Sequence, residues 1–424
     1  MSLPPACERA PHLALVTAHP GPLGGMETFA RFLLETMLTA GWRVTVALCG
    51  RNIFTAAADR FGERLTIEPV DWLDGTCKGD REYFPRRILD RQRWFHRCRP
   101  DAAVFVQSFN TPFRASITGA ALAGVPVVIT HRTMPYPLPQ VASRRHLWGL
   151  LPGLGLHRRR TVFKTWLTSA LAARVVYNSA QVRAGYERQY HYPQSKGVVI
   201  PNAVIVPDKP EPAGRRAGLE PIIIGYVGRL HVSKGVDVLL QATALLRRQH
   251  AVRLLICGEG PHRDDLVALA GQLGLGALIE WVDPVEDVWP VYDRCDIIAL
   301  PSRRESSSNM ILEAMSLGKP VVVSRVGGLP ELVAQGRAGV IVEPDNAAAL
   351  AEALVALIGN RQERAALGAR AQETARRLHD PATIGRAWRE LLEQVVLKGI
   401  RPRRLAEVAA MLRSSDSAPV EVVH

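Results

Sequence analysis

The sequence predicts an α/β protein built from two doubly wound parallel sheets. Three observations carry this. A chain of 424 residues is too long for one ordinary hydrophobic core and points to two domains. Short apolar runs of strand character alternate with helical patterns, which implies parallel strands joined by crossover helices. The alternation comes in two series, parted at 207–221 by a stretch with four prolines and several charges, the signature of a linker.

The first series occupies residues 1–206. Residues 1–11 read as a loose leader and His12 to Ala18 as a strand. Pro20-Gly-Pro-Leu-Gly-Gly makes a turn, and Met26 to Thr39 has helical periodicity ended by Gly41. Arg43 to Cys49 is the next strand. The chain thus opens β–loop–α–β, with a Gly-rich loop at the carboxyl end of the first strand, where ligands bind in open α/β sheets. Ala102 to Val106, Pro126 to Thr130 and Arg174 to Asn178 are further strands, and Phe113 to Gly124 is a small-residue helix. Residues 132–170 break the regularity and read as a basic insertion with interleaved Trp and Phe. Val198 to Asn202 closes the series.

The second series spans 222–380. Its strands are Ile222–Val227, Arg253–Cys257, Leu278–Val282, Ile297–Leu300, Pro320–Ser324 and Gly339–Val342. Asn346 to Leu357, Arg361 to Leu378 and Ala382 to Leu397 read as long helices. From 399 a tail follows, with one short helix expected over Ala406 to Arg413.

Bulk properties bound the partners. With 53 basic and 40 acidic residues the net charge is +13, which favours a polyanion: anionic lipid, nucleic acid or a phosphorylated substrate. No nucleic-acid recognition module accompanies the charge, so no nucleic-acid partner is expected. The six cysteines are scattered, none in a C-x-x-C pair, as reduced thiols would be. No apolar run reaches the roughly 18 residues of a spanning helix, and no signal peptide is evident. The expected place is the cytoplasm, or the cytosolic face of an inner membrane. For the latter, Trp148, Phe163 and Trp166 among Arg144, Arg145, Arg158, Arg159, Arg160 and Lys164 would lie on an anionic bilayer; a solvated insertion is the competing account.

Chemistry concentrates at Pro301 to Glu331. A buried strand runs into the hydroxyl-rich loop Ser302 to Ser308, and Asn309 to Leu317 is a short helix capped by Ser308 or Asn309 and stopped by Gly318. Such a helix start offers free N–H groups and a positive dipole end to an anion. Glu305 and Glu313 flank the loop with seven residues between them. Upstream, Arg229 and Lys234 follow the strand that ends at Gly228. Two cations there suit a diphosphate, each charge-assisted hydrogen bond contributing roughly 1.5–3 kcal/mol.

The E-x7-E pattern, then A-M-x-x-G-x-P-V-V and G-G-x-x-E, resembles the C-terminal half of the family-4 retaining glycosyltransferases. The likeness covers roughly 12–395 and is strongest over 222–335. It implies the GT-B fold: an acceptor-side Rossmann-like domain at 1–206, a nucleotide-sugar-binding one at 222–380, and a helix at 381–398 crossing back onto the first. It also implies roles. Arg229 and Lys234 match the phosphate-binding pair, Glu305 the residue near the sugar hydroxyls, and Glu313 the ribose contact. Backbone amides of Ser308, Asn309 and Met310 would face the phosphates, and Gly25 would let the backbone approach donor and acceptor. His131, after a Thr at a strand end, would approach the donor sugar, although a lone His is more often structural. Asp283 sits where the nucleobase lies. The sequence departs from the family in having Ser306, not Gly, after Glu305.

No D-x-D triplet, H-E-x-x-H or His/Cys cluster is present, so metal-independent transfer without a cofactor is expected. G-x-S-x-G and the P-loop pattern are absent too. The implied reaction moves a sugar from a UDP- or GDP-linked donor to a hydroxyl of a glycan or lipid-linked acceptor, in cell-surface polysaccharide or glycolipid synthesis. A nucleotide-sugar epimerase or hydrolase, and a non-catalytic sugar-nucleotide-binding scaffold, are the alternatives.

Overall fold

A computed structural model of the chain describes residues 9–19, 24–50, 52–70, 85–107, 113–135, 153–206 and 221–399. The expected leader turn at 20–23, the linker at 207–220 and the tail helix at 406–413 lie outside these.

The first sheet is built from β1 (His12–His19), β2 (Arg43–Gly50), β3 (Leu65–Pro69), β4 (Ala102–Gln107), β5 (Val127–His131), β6 (Arg174–Tyr177) and β7 (Gly197–Val199). Its helices are α1 (Gly25–Thr39), α2 (Thr55–Phe61), α3 (Pro85–Cys98), α4 (Arg114–Leu122), α5 (Gly153–Leu171) and α6 (Ala180–Tyr190). The strands are all parallel, in the order β3-β2-β1-β4-β5-β6-β7. Every residue of β4 and β5 is buried, as a parallel sheet covered on both faces requires.

Several elements of the first domain differ from expectation, α2, α3 and α6 being helices the sequence reading did not name. β3 is an additional strand. Its sequence Leu-Thr-Ile-Glu-Pro is half-exposed at the sheet edge and ends in Pro, so it lacks a continuous apolar run. The expected insertion at 132–170 holds α5, the crossover from β5 to β6; residues 136–152 lie outside the described set.

The second sheet comprises β8 (Ile222–Val227), β9 (Val252–Cys257), β10 (Ile279–Val282), β11 (Ile297–Leu300), β12 (Val321–Ser324) and β13 (Val340–Val342). All are parallel, in the order β10-β9-β8-β11-β12-β13. Around them lie α7 (Val236–Leu246), α8 (Arg263–Gln272), α9 (Trp289–Asp293), α10 (Asn309–Ser316), α11 (Leu329–Leu332), α12 (Ala347–Gly359) and α13 (Arg361–His379). The last helix, α14 (Pro381–Gly399), returns to the first core. There Ile384, Trp388, Leu391, Leu392 and Val395 pack with α1 and β1, and the Trp388 ring centre lies 5.4 Å from that of Phe29. Truncating a buried Trp of this kind costs roughly 3–5 kcal/mol, so α14 binds the two halves into one structure.

Both sheets reverse their winding at one place: between β1 and β4 in the first, and between β8 and β11 in the second. Crevices form outside the carboxyl ends of strands at such switch points. The segments following β1, β8 and β11 are the ones the motifs single out.

Candidate functional site

The site is built where β8 and β11 end side by side. After β8 the Tyr226 hydroxyl donates to the Arg229 carbonyl (2.8 Å), fixing the turn. The Arg229 side chain is exposed, and its guanidinium makes no hydrogen bond or ion pair among the described residues. Val232–Lys234 then forms one tight helical turn, started by His231, whose ring accepts from the Ser233 N–H (3.1 Å). Gly235 ends it with φ +68°; a Cβ here would meet the Pro301 carbonyl oxygen at 2.0 Å. This backbone-to-backbone approach brings Lys234 to Glu305, and the two form an ion pair. Glu305 also accepts from the Ser306 N–H (3.2 Å). Its side chain is 9% exposed and that of Lys234 27%.

The loop between β11 and α10 is held from both domains. Arg303 forks onto Asp237 (2.8 and 2.7 Å). Arg304 donates to the carbonyls of Met134 (3.1 Å) and Pro135 (2.7 Å). The Ser306 hydroxyl donates to the Arg132 carbonyl (2.7 Å). Behind the loop Gly327 (φ +52°) presses on it so closely that a Cβ would stand 1.6 Å from the Glu305 carbonyl oxygen. This is why the G-G-x-x-E motif begins with glycine. None of residues 305–308 has a positive φ, so Ser306 fits without strain.

Ser308 caps α10, accepting from the Ile311 N–H (3.3 Å). The N–H groups of Asn309 and Met310 find no acceptor among the described residues and stand at the positive end of the helix. The Met310 side chain is buried in the core, leaving its backbone to act. Asn309 and Glu313 are four residues apart and share a face of α10. Asn309 accepts from Asn202 of the first domain (2.9 Å), and Gly25 lies against it: a Cβ there would be 3.6 Å from Asn309 Nδ2. Glu313 accepts from the Tyr292 hydroxyl (2.7 Å). Burial pushes its carboxyl pKa up, only partly offset by that hydrogen bond.

Lys234, Glu305, the start of α10 and Gly25 thus gather around loop 305–309, while Glu313 lies one turn along α10 and Arg229 follows β8 with its side chain exposed. Two expected residues have different surroundings. The His131 ring is 3% exposed and stacks on Tyr186 with centres 3.9 Å apart, with Tyr177 and Tyr192 further around it. It makes no hydrogen bond to Lys234 or Glu305, and burial pushes its pKa down to about 3, so the ring is neutral. The Asp283 side chain is 82% exposed and pairs with Arg263 (2.7 Å).

The sequence did not reveal Arg132, Asn202 or Glu331 as interdomain residues. The Glu331 carboxylate accepts from the N–H groups of Ala180 and Gln181 (2.8 Å each), the first turn of α6. A carboxylate of one domain thus caps a helix of the other. The G-G-x-x-E spacing was the available signal, but nothing in it names the partner.

Comparison with known proteins decides the family. Residues 23–206 match the family model described as Glycosyltransferase Family 4, and residues 221–360 match Glycosyl transferases group 1. The chain belongs to this glycosyltransferase family. Two curated relatives, both named D-inositol 3-phosphate glycosyltransferase, come from Corynebacterium urealyticum and Corynebacterium efficiens. The first is 34% identical over 236 residues, 51% of this chain and 53% of its own. The second is 38% identical over 214 residues, 46% of this chain and 50% of its own. The chain therefore spans about half the length of the curated relatives it matches. Among solved structures, Anabaena Alr3699/HepE in complex with UDP superposes with TM-score 0.69 at 20% identity, covering 91% of this chain and 100% of that one. A glycosyltransferase from Rickettsia africae superposes with TM-score 0.71 at 18% identity, covering 91% and 99%. At these identities the likeness speaks for the fold, which is GT-B.

Proposed function

We propose that the chain is a retaining glycosyltransferase that moves a sugar from a nucleotide-sugar donor to an acceptor hydroxyl. The observation that carries it is the Lys234–Glu305 pair on the loop leading into the open α10 N-terminus, with the exposed Arg229 at the end of β8. When the sugar leaves, negative charge grows on the nucleoside diphosphate, and this site sets two cations and a helix dipole beside it. Those groups can carry the phosphates without a metal or cofactor. Glu305 orients the sugar, Glu313 accepts from the ribose hydroxyls, and the diphosphate takes the acceptor's proton as attack and departure share one face. The likeness to the Anabaena structure in complex with UDP supports a UDP-linked donor, and a GDP-linked donor is the second choice.

The acceptor is a hydroxyl of a glycan or lipid-linked sugar in cell-surface synthesis. The names of the relatives add inositol phosphates to the panel. An anionic membrane suits the lipid-linked case. On α5 the exposed Phe163 and Trp166 rings stack (5.9 Å), with exposed Arg159 and Arg160 on the same helix. No helix among the described residues is long and apolar enough to cross a membrane.

Purified protein is incubated with labelled UDP- and GDP-sugars, with and without the acceptor panel and EDTA. Transfer predicts nucleotide release that needs an acceptor, ignores EDTA, and keeps the donor's anomeric configuration in the NMR spectrum of the product. Acceptor-independent conversion would favour the epimerase or hydrolase. Co-sedimentation with anionic but not neutral vesicles, lost on Phe163→Ser/Trp166→Ser, tests the membrane contact.

A further inference from the structure

Arg132 carries a buried charge that no carboxylate among the described residues answers. It follows β5 and is 5% exposed. Its guanidinium carbon lies 3.5 Å from the ring centre of Phe29 and 5.5 Å from that of Trp388. Nη1 donates to the Ile200 carbonyl (3.3 Å) and to Asn202 Oδ1 (3.1 Å). Nε and Nη2 have no acceptor among the described residues. Burying a cation without a counter-ion is costly, and the aromatic faces offset only part of it.

The contacts of Arg132 lead to one place. Asn202, which accepts from its guanidinium, donates to Asn309 at the start of α10 (2.9 Å). The carbonyl of Arg132 accepts from the Ser306 hydroxyl (2.7 Å). One residue of the first domain therefore reaches both ends of loop 305–309. The guanidinium stands two hydrogen bonds behind the helix start proposed to face the diphosphate. Burial pushes its pKa down to about 9, which leaves it cationic at neutral pH.

We propose that Arg132 is a positioning residue for the donor diphosphate, acting through Asn202 and Ser306 on loop 305–309 and adding its charge to the field of the α10 N-terminus. This rests on the nucleotide-sugar reading and deepens it. It also gives Ser306 a purpose: the glycine that the family resemblance leads one to expect there has no hydroxyl to give Arg132.

The test is calorimetric titration of the full chain with UDP and GDP, and with uridine and guanosine as matched nucleosides. Arg132→Met keeps an apolar stem between Phe29 and Trp388 and removes the charge. It is expected to weaken the bound nucleoside diphosphate about tenfold, the scale of a partly screened unit charge. The matched nucleoside should bind as before, and Arg132→Lys should recover most of the loss. Unchanged diphosphate affinity, or an equal loss for nucleoside and diphosphate, overturns the proposal. If Arg132→Met does not fold, Asn202→Ala serves, since it cuts the link from the guanidinium to the start of α10: weaker diphosphate binding with unchanged nucleoside affinity supports the proposal, and wild-type diphosphate affinity overturns it. Wild-type protein that binds neither diphosphate sinks the functional reading, and this inference with it.

Discussion

Lys234→Met separates the structural from the chemical role of the Lys234–Glu305 pair. The substitution leaves the Glu305 carboxylate, 9% exposed, answered among the described residues by the Ser306 N–H alone. Removing one partner of a fully buried pair costs roughly 3–5 kcal/mol. Lys234 is 27% exposed, so water screens the pair and about 1–3 kcal/mol is expected. For domains of this size that lowers the melting temperature by roughly 2–12 °C. Adding Glu305→Gln removes the orphaned charge and should restore most of the stability. Activity should not follow. A lost charge-assisted bond to the phosphate is worth roughly 1.5–3 kcal/mol, about 10- to 150-fold in kcat/KM. The double variant should stay at least that far down. Melting by circular dichroism and nucleotide release under acceptor-saturated conditions read the two effects. A double variant that is both stable and fully active would refute the reasoning, because the pair would then be structural alone.

Further expectations concern neighbouring residues. Glu313→Gln should cost donor affinity yet stabilise the fold near pH 7.5. Burial raises the carboxyl pKa from its ordinary 4.5, so the ionised form is penalised in the folded state; that penalty is absent below about pH 4.5 and complete above the raised value. Melting curves at pH 7.5 and pH 4 should show the variant above wild type at the first and level with it at the second. Gly327→Ala puts a methyl 1.6 Å from the Glu305 carbonyl oxygen, so loop 305–306 must move; a loss of about 2 kcal/mol or more in urea unfolding, with a drop in kcat, is expected. Glu331→Ala leaves two N–H groups of α6 without acceptors; about 1 kcal/mol and a more open solution scattering profile should follow. His131→Phe keeps the stacked ring and should leave the pH–rate profile between pH 6 and 8 unchanged, since the buried imidazole is already neutral there.

Much of the fold was legible because its strands are buried on both faces. Ile222–Val227 and Ile297–Leu300 are continuous apolar runs, and the structure gives them those limits. β3 escaped notice because an edge strand needs no such run. α5 was hidden by its basic composition: a crossover helix with an exposed face does not need an apolar sequence. In the site, motif spacing pointed to Lys234, Glu305 and Glu313, since all three lie in or next to a strand–turn–helix segment whose turn residues are local. The interdomain contacts were not legible. Ser306 and Arg132 are 174 residues apart in sequence, and Glu331 and Gln181 are 150 apart. Their pairing depends on how two domains meet, which no local pattern records. His131 shows the converse limit. Its position at a strand end is local information, but the tyrosines that bury it come from β6, α6 and the turn after α6.

The central claim is that Lys234 and the start of α10 hold a nucleoside diphosphate. A thermal-shift panel of UDP, GDP and ADP with their sugar conjugates, with and without EDTA, tests it on wild type and Lys234→Met. The account predicts that one nucleoside diphosphate raises the wild-type melting temperature, that EDTA changes nothing, and that the shift is lost or much reduced in Lys234→Met. No shift with any nucleotide, or an undiminished shift in the variant, would contradict it.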